Sequence, residues 1–591
     1  MLDYAQPVAA RMWPSQPSTN GNVRFGVFDL DLRTGELRKR GTKIKLQEQP
    51  LQVLQVLLEN TGEVVSREKL QQSIWPADTF VDFEHGLNNA IRRLREALGD
   101  SAETPRYIET LARRGYRFIG HVEAAPASVP STTRSLAVLP LENLSNDPEQ
   151  EYFVEGLTEA LITTLAKIGD LRVVARTSVM AYKGVRRPVR EIARELGVDT
   201  IVEGTVLRVG GRVRINAQLI HAPSEMHLWA ESYERDLRDI LALQAEMAQA
   251  IAAEVHVKLT PQEQAHLEQV HAVDPEAYAA YLKGRYYWNR RSGEGCEKAI
   301  RCFQEAIEHD PTYAAAYAGL ADCMSVLGVC SMVAPDDGFG KAKRLALQAL
   351  EKDPNLAEGH ASLAFATMWY DFDFAGAERG FRRALSLNPG YVTGRTWYGI
   401  FLSMAGRNEE AYNEVQRSIR LEPCSSPVSF CMGIVHWAGR RYDQAIEQFD
   451  KAIELEPTNA LAYGLQADTY LSKSQYQSAA EGYQKSIQFS HGSSSFIAAL
   501  GATYARQGNI EEAQKILEQL RSLAKERYVT PYIVARLKLA LGRKDEALEC
   551  LETGYRGRDS FMVFLKVDPL LDDLRPDPRF QDLLRRMNFP S

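Results

Sequence analysis

The sequence has no long apolar run and little cysteine. No stretch approaches the ~18 uninterrupted apolar residues that a membrane-spanning helix requires, and we expect none. The seven cysteines among 591 residues include no CxxC pair and are expected to be reduced side chains in apolar cores. Residues 1–22 lack the apolar core of a signal peptide and are expected to form a disordered lead-in. These absences favour a cytoplasmic protein without membrane contact.

Motifs of enzyme active sites are also missing. The sequence has no nucleophile elbow, phosphate-binding loop, HExxH helix or dinucleotide glycine fingerprint. His266 and His271 are five residues apart, which a solvated helix face explains better than a metal site. Asp572 and Asp573 are adjacent and point in different directions, so they are not a catalytic pair. We predict no catalytic, cofactor-binding or metal-binding residue and no enzyme activity.

Length and composition divide the chain into parts, because 591 residues are too many for one hydrophobic core. Residues 123–134 are rich in Ala, Pro, Ser and Thr, which predicts a linker, and a weaker joint falls at 259–277. The net charge of −7 argues against nucleic-acid binding by the whole surface but allows a local patch. The predicted domains are 23–122, 135–258, 276–560 and a terminal cap at 561–591.

The third part is repetitive. Prolines that follow an acidic residue or asparagine are spaced 43, 35, 34 and 34 residues apart, at Pro311, Pro354, Pro389, Pro423 and Pro457. Each ends a helix of similar pattern, such as AIEQFDKAIELEP, and another helix with a small residue near its middle precedes it. The next copy has His491 in place of the proline, and the 43-residue spacing predicts an insertion near SMVAPDDGFG.

This pattern resembles the tetratricopeptide repeat. The matching positions of the clearest copy are Gly433, Ala445, Phe449, Ala452 and Pro457. The resemblance implies about eight helix pairs that stack into an all-α solenoid, because one pair cannot bury its own apolar face. The concave surface of such a solenoid suits a protein or peptide partner.

Residues 23–122 show the order sheet, three helices, hairpin. Alternation in VRFGVFDLDLRTGELRKRGTKIKLQ predicts a small antiparallel sheet. EQPLQVLQVLLENTGEVVS predicts an amphipathic helix with Leu51, Leu54 and Leu58 on one face. Ser66 is the expected N-cap of a short second helix. VDFEHGLNNAIRRLREALGD predicts a third helix, and RYIETLARRGYRFIG predicts a hairpin with Gly115 near its tip.

Three helices followed by a β-hairpin make a winged helix. The whole pattern resembles the DNA-binding effector domain of OmpR/PhoB-type response regulators. The resemblance is carried by Trp75, Val81-Asp82, Ile91, Leu94-Arg95, Leu98-Gly99, Pro105-Arg106-Tyr107-Ile108 and Arg114-Gly115-Tyr116-Arg117-Phe118. It covers nearly all of this part and nothing after it.

The third helix separates apolar from polar side chains at about 100° per residue. Its apolar side holds Leu87, Ile91, Leu94 and Leu98, and the opposite side holds His85, Asn88, Asn89 and Arg92, flanked by Arg93 and Glu96. Arg and Asn suit bidentate contacts with guanine and adenine edges. The resemblance implies that this is the recognition helix, which enters the major groove.

The resemblance also places basic residues around that helix. It puts Arg113 and Arg114 on the wing, near backbone or minor groove, while Arg67 at the start of the second helix is a plausible phosphate contact. The predicted DNA-binding residues are Arg67, His85, Asn88, Asn89, Arg92, Arg93, Arg113 and Arg114. With 16 Lys/Arg and 14 Asp/Glu this part carries only about +2, which favours binding as a homodimer or at repeated sites.

The domain order adds an expectation about the input signal. Response regulators of this type usually carry a receiver domain before the winged helix, but only about 22 residues precede it here, so no phosphoacceptor can be carried over. The order is similar to that of ToxR- and CadC-like transcription factors, which then cross the membrane. Because no crossing is predicted here, the input is expected from the cytoplasm.

The middle part predicts an α/β domain. Val213, Ile215, Ala217 and Leu219 alternate with polar residues after the turn Gly210-Gly211, which predicts a half-buried hairpin. The pattern AVLPLENLSND…EYFVEGLTEAL…LGVDTIVEGTV resembles the TolB-like N-terminal domain, which implies an interaction module. That domain accompanies nucleotide cyclases in some proteins, but no cyclase domain is recognised here. Asn143, Asp147 and Gly156 are expected in turns and caps rather than in a pocket.

The sequence thus predicts a multidomain chain with an α+β winged helix, an α/β TolB-like domain and an all-α solenoid. The predicted function is a DNA-binding transcriptional regulator in signal transduction, with double-stranded DNA and a protein or peptide as partners. The alternative is a scaffold or adaptor whose winged helix contacts proteins, which the near-neutral charge of that part favours. A third possibility is a small inducer bound by the C-terminal part.

Overall fold

A computed structural model describes residues 22–31, 36–39, 42–44, 46–74, 83–102, 105–111, 114–120, 122–123, 134–145, 147, 150–257, 259–268, 272–289 and 293–590. These residues fall into two compact units, Met1–Thr132 and Thr133–Ser591. The predictions for residues 1–21, for most of the linker, and for Trp75, Arg113 and His271 lie outside the described residues. In the described part of the chain, no helix is both long and apolar enough to cross a lipid bilayer.

The described residues of the first unit form two antiparallel sheets and three helices. Its elements are β1 (Asn22–Phe25), β2 (Phe28–Asp31), β3 (Glu36–Lys39), β4 (Thr42–Ile44), α1 (Glu48–Glu59), β5 (Val64–Val65), α2 (Arg67–Ile74), α3 (Phe83–Leu98), β6 (Ile108–Leu111), β7 (Gly115–Phe118) and β8 (Val122–Glu123). The strand orders are β4-β3-β2-β1-β8 and β5-β7-β6. The predicted winged helix is confirmed, with β6 and β7 as the hairpin that forms the wing.

The core of this unit forms where the three helices meet the sheets. Leu54 and Leu57 of α1, Leu70 of α2 and Leu94 of α3 are buried together with Phe118 of β7. The buried face of α1 is therefore centred on Leu54 and Leu57, whereas Leu51 is only half-buried. This burial fixes which side of α3 remains available to solvent.

The second unit begins with a six-stranded sheet. Its elements are β9 (Arg134–Val138), β10 (Glu142–Asn143), α4 (Glu151–Leu165), β11 (Leu171–Val173), α5 (Arg176–Met180), α6 (Val189–Leu196), β12 (Thr200–Val209), β13 (Arg212–His221), β14 (Met226–Asp236), a 3-10 helix (Leu237–Asp239), α7 (Ile240–Glu254) and α8 (Pro261–Glu268). The order is β11-β9-β12-β13-β14, with β10 beside β12. Strands β11, β9 and β12 are parallel, and β12, β13 and β14 form an antiparallel meander.

The alternation predicted for β13 is present, because Val213, Ile215, Ala217 and Leu219 are buried. Asn143 and Asp147 form a turn, in which the Asn143 amide donates to the Asp147 carbonyl at 3.0 Å. Gly156 lies in α4 and has a packing role, since an added Cβ would approach Leu282 at 2.8 Å. That contact joins the sheet domain to the first of the following helices.

Eight helix pairs follow between Pro275 and Arg556 in the described residues. They are α9 (Pro275–Asn289) and α10 (Gly293–His309), α11 (Ala314–Val329) and α12 (Lys341–Lys352), α13 (Ala357–Ala366) and α14 (Phe374–Leu387), α15 (Val392–Met404) and α16 (Asn408–Leu421), α17 (Ser426–Ala438) and α18 (Tyr442–Leu455), α19 (Ala460–Ser472) and α20 (Tyr476–Phe489), α21 (Ser494–Gln507) and α22 (Ile510–Leu523), α23 (Pro531–Ala540) and α24 (Lys544–Arg556). The predicted all-α solenoid is confirmed.

Small residues let the helices of a pair approach closely. A Cβ added to Gly433 of α17 would lie 2.4 Å from the ring of Phe449 on α18, so only glycine fits at this crossing. The predicted insertion is a π-helical turn, Asp336–Gly340, between α11 and α12. Its Phe339 stacks on Trp369, in a second π-helical turn (Thr367–Asp371), with ring centroids 5.4 Å apart.

The last residues cross back over the repeats. This C-terminal segment, residues 560–590, contains 3-10 helices Ser560–Phe564 and Pro569–Leu574 and α25 (Pro578–Met587). Its Phe564 ring lies 5.7 Å from that of Trp369 and 6.0 Å from that of Trp437. Lys566 donates to the Ala405 carbonyl at 2.7 Å. Because these partners belong to different helix pairs, the segment packs on several repeats. The predicted terminal cap required contact with the last repeat only.

The sheet domain is fixed to the first repeat by buried polar contacts between α4 and α9. Glu159 accepts hydrogen bonds from Arg285 at 2.6 Å and from Asn289 at 2.6 Å. Burial alone would raise the pKa of Glu159, but the charges of Arg285 and Arg176 hold it below its ordinary value. The residues on the two sides of the expected joint at 259–277 therefore belong to one compact unit.

Candidate DNA interface

The third helix of the winged helix, α3, presents a polar face because its apolar face is held in the core. Leu87, Ile91, Leu94 and Leu98 are each no more than 3% exposed. On the other side, Asn88 and Arg92 are exposed, as is Glu96, while Asn89 and Arg93 are half-buried. His85 lies in α3, but its side chain is outside the described residues.

Two of the predicted base-contacting residues are bonded to each other on this face. Arg92 donates from Nη2 to Oδ1 of Asn89 at 2.9 Å and pairs through Nη1 with Oε1 of Glu96 at 2.5 Å. The side chains of Arg92 and Glu96 are 61% and 60% exposed. Exposed ion pairs one helical turn apart contribute little stability, so a ligand can replace these contacts at low cost.

Arg67, Asn88 and Tyr116 form a cluster that joins α2, α3 and the wing. Arg67 donates to Oδ1 of Asn88 at 3.3 Å and to the Tyr116 hydroxyl at 3.1 Å, and its guanidinium lies 5.2 Å from the centre of the Tyr116 ring. The Tyr116 hydroxyl also donates to Asn88 at 3.1 Å. The carbonyl of the Asn88 amide is thus engaged inside the protein, which favours a positioning role for Asn88. Tyr116 was not among the predicted site residues.

The start of α2 is capped as the sequence predicts. The Ser66 hydroxyl accepts the Lys69 amide at 3.1 Å, and Lys69 itself donates through Nζ to Asn60 at 2.7 Å. Arg67 follows the cap directly, in the first turn of α2. The first turn of α2 therefore carries a cationic side chain at a helix N-terminus, and such an end suits a phosphate.

The wing is fixed to the end of α3 by Asp100 and Arg95. The Asp100 carboxylate accepts the amides of Arg106 at 2.7 Å and Ile108 at 2.8 Å. Arg95 donates to the carbonyl of Ile108 at 2.7 Å and to the hydroxyl of Thr110 at 2.8 Å. These contacts set the position of β6 relative to α3. Arg95, Arg106 and Ile108 belong to the family pattern found in the sequence, whereas Asp100 and Thr110 do not.

Gly115 allows the wing to approach β5. Its φ is +139°, and an added Cβ would lie 2.0 Å from the Val65 carbonyl oxygen. Arg114 precedes it and is exposed at the turn between β6 and β7. Arg117 of β7 is paired with Glu109 of β6 at 2.6 Å, so it adds no free charge to the wing.

Metal binding finds no support in the described residues, where no group of three or more His, Cys, Asp or Glu side chains could hold an ion. The interface predicted from the sequence consists of the polar face of α3, the capped start of α2 and the wing turn. These parts offer hydrogen-bond donors and positive charges around α3.

Family models match three parts of the chain. "Transcriptional regulatory protein, C terminal" matches residues 41–118, "HilA/YgeH-like transcriptional regulator, second domain" matches residues 132–250, and "Tetratricopeptide repeat" matches residues 432–493. The second match covers the sheet domain, for which the TolB-like resemblance stays a prediction. The first match covers α1 to the wing, including the candidate interface.

Relatives match different lengths of the chain. The transcriptional regulator HilA of Salmonella typhimurium is 26% identical over 412 residues, 69% of this chain and 72% of HilA. A putative adenylate cyclase 3 of Rhizobium meliloti is 42% identical over 201 residues, 34% of each protein. The cholera toxin transcriptional activator of Vibrio cholerae is 35% identical over 80 residues, 14% of this chain and 27% of that protein.

The chain thus spans about a third of the cyclase-named relative and about seven-tenths of HilA. Three different family models, matched in the order of the three structural parts, agree with the fold of each part. This chain therefore combines an OmpR/PhoB-type winged-helix domain, a HilA-like regulator domain and tetratricopeptide repeats, and transcriptional regulators are among its relatives.

Proposed function

We propose that this chain is a transcriptional regulator that binds double-stranded DNA through α3 and receives its signal through the second unit. The observation that carries the proposal is the polar Asn89–Arg92–Glu96 edge of α3, exposed at Arg92 and Glu96, within a domain that matches the OmpR/PhoB-type family. The described parts are a winged helix, a sheet domain and repeats, none of which is a receiver domain. The signal is proposed to act by binding of a protein or peptide to the second unit.

The proposed roles follow the local geometry. Arg92 and Asn89 contact base edges, since Arg and Asn give bidentate readout in the major groove. Arg67, Arg93 and Arg114 contact phosphates, which position the domain without reading sequence. His85 and Arg113 keep the roles predicted from the sequence, near bases and on the wing. Asn88 supports Arg67 and Tyr116.

The test is a mobility shift of the full chain on promoter fragments. Arg92→Ala and Asn89→Ala should weaken specific binding by about 5- to 150-fold, because a good bidentate contact contributes ~1–3 kcal/mol of discrimination. Arg38→Ala is the matched control, since Arg38 is an exposed arginine of the same unit on β3, paired with Glu36. Its loss should leave specific binding nearly unchanged.

Two results would contradict the assignment. Unchanged binding of both α3 variants would remove α3 as the recognition helix. Equal weakening by Arg38→Ala would mean that only overall charge matters.

Arg114→Ala should weaken binding to all sequences alike and reduce the slope of log affinity against log salt by about one, as expected for one phosphate contact.

A scaffold role is the second candidate, favoured by the charge of the winged-helix part, which is only about +2 over residues 23–122. A salt titration of DNA binding separates the two. A steep decrease of affinity with salt is the signature of phosphate neutralisation. A flat response, or no binding, favours a winged helix that contacts proteins.

The proposal includes partners and location but no catalysis. A cyclase activity is not proposed, because the match to the cyclase-named relative covers only 34% of that protein. The small positive charge of one winged helix favours a homodimer on DNA. A protein or peptide partner is proposed on the outer surface of the repeats, since the C-terminal segment lies against their first helices. A cytoplasmic location is also proposed, because it would give the winged helix access to double-stranded DNA.

A further inference from the structure

The sheet of the second unit ends in a long strand with an open edge. β14 has 11 residues, and among the described strands it pairs with β13 alone. All of its residues are exposed except Trp229, which is half-buried, and Tyr233, which is buried. The outer edge of such a strand offers unpaired amides and carbonyls to another chain.

This edge lacks most of the features by which proteins prevent pairing between edges. Those features are short strands, lysine or proline on the edge, bulges, and a covering helix or loop. β14 contains neither lysine nor proline, and its bulge lies near its start, at Leu228. By contrast, β11 at the other end of the strand order has only three residues. From Trp229 to Asp236 the edge of β14 is therefore regular and suited to pairing.

The pairing with β13 decides which main-chain groups of β14 point outwards. The Leu237 amide donates to the Gly211 carbonyl at 2.8 Å, so the main chain of Leu237 faces β13. The two-residue turn that joins β12 to β13 requires the same alternation, because it makes Val209 and Arg212 a hydrogen-bonded pair. The amides and carbonyls that point outwards therefore belong to residues 230, 232, 234 and 236.

The sequence of this edge is complementary to itself. In a symmetric dimer β14 pairs with its own copy in antiparallel order about a two-fold axis. With Tyr233 opposite Tyr233 of the second copy, Glu231 lies opposite Arg235 of that copy, and the same contact occurs twice. Side chains are closest in pairs without main-chain hydrogen bonds, and both of these pairs are of that kind. The outward groups of residues 230, 232, 234 and 236 then meet each other and form the hydrogen-bonded pairs.

Neighbouring registers are less favourable. An axis through Glu231 or Glu234 places like charges directly opposite each other, which is destabilising. An axis through Ser232 brings the bulge at Leu228 into the ladder. Charge and bulge together therefore select the register centred on Tyr233.

The side chains that this pairing needs are weakly held within one chain. Arg235 donates to Glu246 of α7 at 3.1 Å and to the Glu234 carbonyl at 3.2 Å. The side chains of Arg235 and Glu246 are 43% and 50% exposed. Exposed pairs contribute little, so Arg235 can turn to a second copy at low cost. The Glu234 carboxylate is paired with Arg214 at 2.8 Å and adds no unpaired negative charge to the edge.

We propose that two copies of this chain dimerise by antiparallel pairing of their β14 edges, with Glu231 of each copy opposite Arg235 of the other. The inference rests on the proposed function, which includes a homodimer on DNA, and it assigns that homodimer a surface. The two six-stranded sheets become one continuous sheet, and the dimer carries two winged helices.

Sedimentation velocity of the full chain without DNA tests the proposal. A monomer–dimer equilibrium that shifts with protein concentration is expected. Glu231→Arg places two arginines opposite each other, twice in the dimer, and should weaken dimerisation about 10-fold or more. The double exchange Glu231→Arg/Arg235→Glu restores opposite charges and should return the affinity to within about twofold of the parent. Arg194→Glu, at an exposed position of α6, is the matched control and should leave dimerisation unchanged.

Ser232→Pro tests the main-chain contacts. The Ser232 amide points outwards, so proline removes only a donor that is offered to the second copy, and proline is tolerated on an edge strand of this kind. Dimerisation should weaken at least about 5-fold, because the amide is lost in both copies. The circular dichroism spectrum should remain that of the parent.

Three results would overturn the proposal. One is a monomer at every protein concentration. Another is a dimer that neither Glu231→Arg nor Ser232→Pro weakens. The third is a double exchange that fails to restore the dimerisation that Glu231→Arg has weakened, since this excludes the register.

Mobility shifts separate this inference from the DNA-binding proposal. A chain that stays monomeric but binds DNA through α3 would remove the dimer and leave the recognition helix in place. A dimer with the expected response to these variants that fails to bind DNA would do the reverse.

Discussion

Glu159 of α4 and Arg285 of α9 form a buried ion pair, with 2.6 Å between Oε1 of Glu159 and Nη2 of Arg285. Their side chains are 13% and 19% exposed. The pair joins the sheet domain to the repeats across 126 residues of sequence. It helps to hold the second unit together as one body, because undocking would leave Glu159 with only Arg176 of the sheet domain as a charged partner.

Arg285→Met should therefore lower the free energy of unfolding of the second unit by about 3–5 kcal/mol, because it leaves a buried carboxylate without its main partner. Urea unfolding followed by circular dichroism measures the loss. The double variant Glu159→Gln/Arg285→Met should lose less than the single variant. The exposed pair Arg187–Glu195 gives the control, and Arg187→Met should cost far less than Arg285→Met. Equal losses in the single and double variants would refute the buried-charge explanation.

Phe564→Ala should destabilise the second unit by about 3–5 kcal/mol, the usual cost of truncating a buried phenylalanine. The ring is 7% exposed and lies between the indoles of Trp369 and Trp437. Thermal unfolding of the parent chain and the variant measures this loss of stability. Arg440→Ala, which removes only a half-exposed pair with Asp572, serves as the comparison and should cost less than ~1 kcal/mol. If Phe564→Ala lowers the stability no more than Arg440→Ala does, the C-terminal segment is only weakly packed on the repeats.

His436 should make the stability of the second unit depend on pH. Burial, with a smaller effect from Arg441, lowers the pKa of His436 to about 4 from its ordinary 6.5. The unfolded chain therefore takes up a proton below pH 6.5 that the folded chain refuses until about pH 4. The contribution of neutral His436 to the free energy of unfolding is fully present above pH 6.5 and decreases as the pH falls from 6.5 towards 4.

Unfolding free energies measured across this window test the prediction. His436→Gln should flatten the pH dependence, whereas His227→Gln, an exposed control on β14, should leave it as in the parent. If the free energy of unfolding changes with pH equally in the parent, His436→Gln and His227→Gln, the pH dependence arises from other groups.

Gly115→Ala should disrupt the wing. The left-handed backbone alone costs a non-glycine residue ~1–3 kcal/mol, and the added methyl would collide with the Val65 carbonyl. Faster amide exchange in β5 and β7, together with weaker DNA binding, is the expected result. Gly99→Ala is the control, since Gly99 also has positive φ, at +63°, but nothing lies within 4 Å of an added Cβ. If the two variants behave alike, the close approach to Val65 is unimportant.

Glu96→Gln should increase DNA affinity about two- to fivefold, because it releases Arg92 from an exposed pair and removes a negative charge from the polar face. Fluorescence anisotropy with a labelled duplex measures this. Glu63→Gln, exposed before β5, removes the same charge away from α3 and should change affinity less. Reduced affinity in Glu96→Gln would mean that Glu96 holds Arg92 in its DNA-binding position.

Much of the fold could be predicted because local patterns decide it. The spacing of Leu87, Ile91, Leu94 and Leu98 defined the buried side of α3, and alternation defined the hairpin of β12 and β13. His491 stands where the other copies have proline, and the helix α20 still ends at Phe489, because His491 and Gly492 both adopt positive φ and supply a left-handed end.

Contacts between distant residues could not be predicted. No periodicity indicates that Glu159 meets Arg285, or that residues near 564 return to Trp369 and Trp437. At the candidate interface the sequence identified Arg67 and Asn88, but not that both bind Tyr116 of the wing. A helical wheel shows which side of α3 is polar, whereas the pairing of those polar groups depends on neighbouring elements.

The return of the C-terminal segment over earlier repeats changes how the polypeptide can assemble. In an open array each repeat could consolidate as it leaves the ribosome, since it touches only its neighbours. Here Phe564, Lys566 and Asp572 complete contacts with Trp437, Ala405 and Arg440. The inner face therefore remains incomplete until residues 560–590 have been synthesised, and a shorter nascent chain leaves the ring of Trp437 without its Phe564 contact.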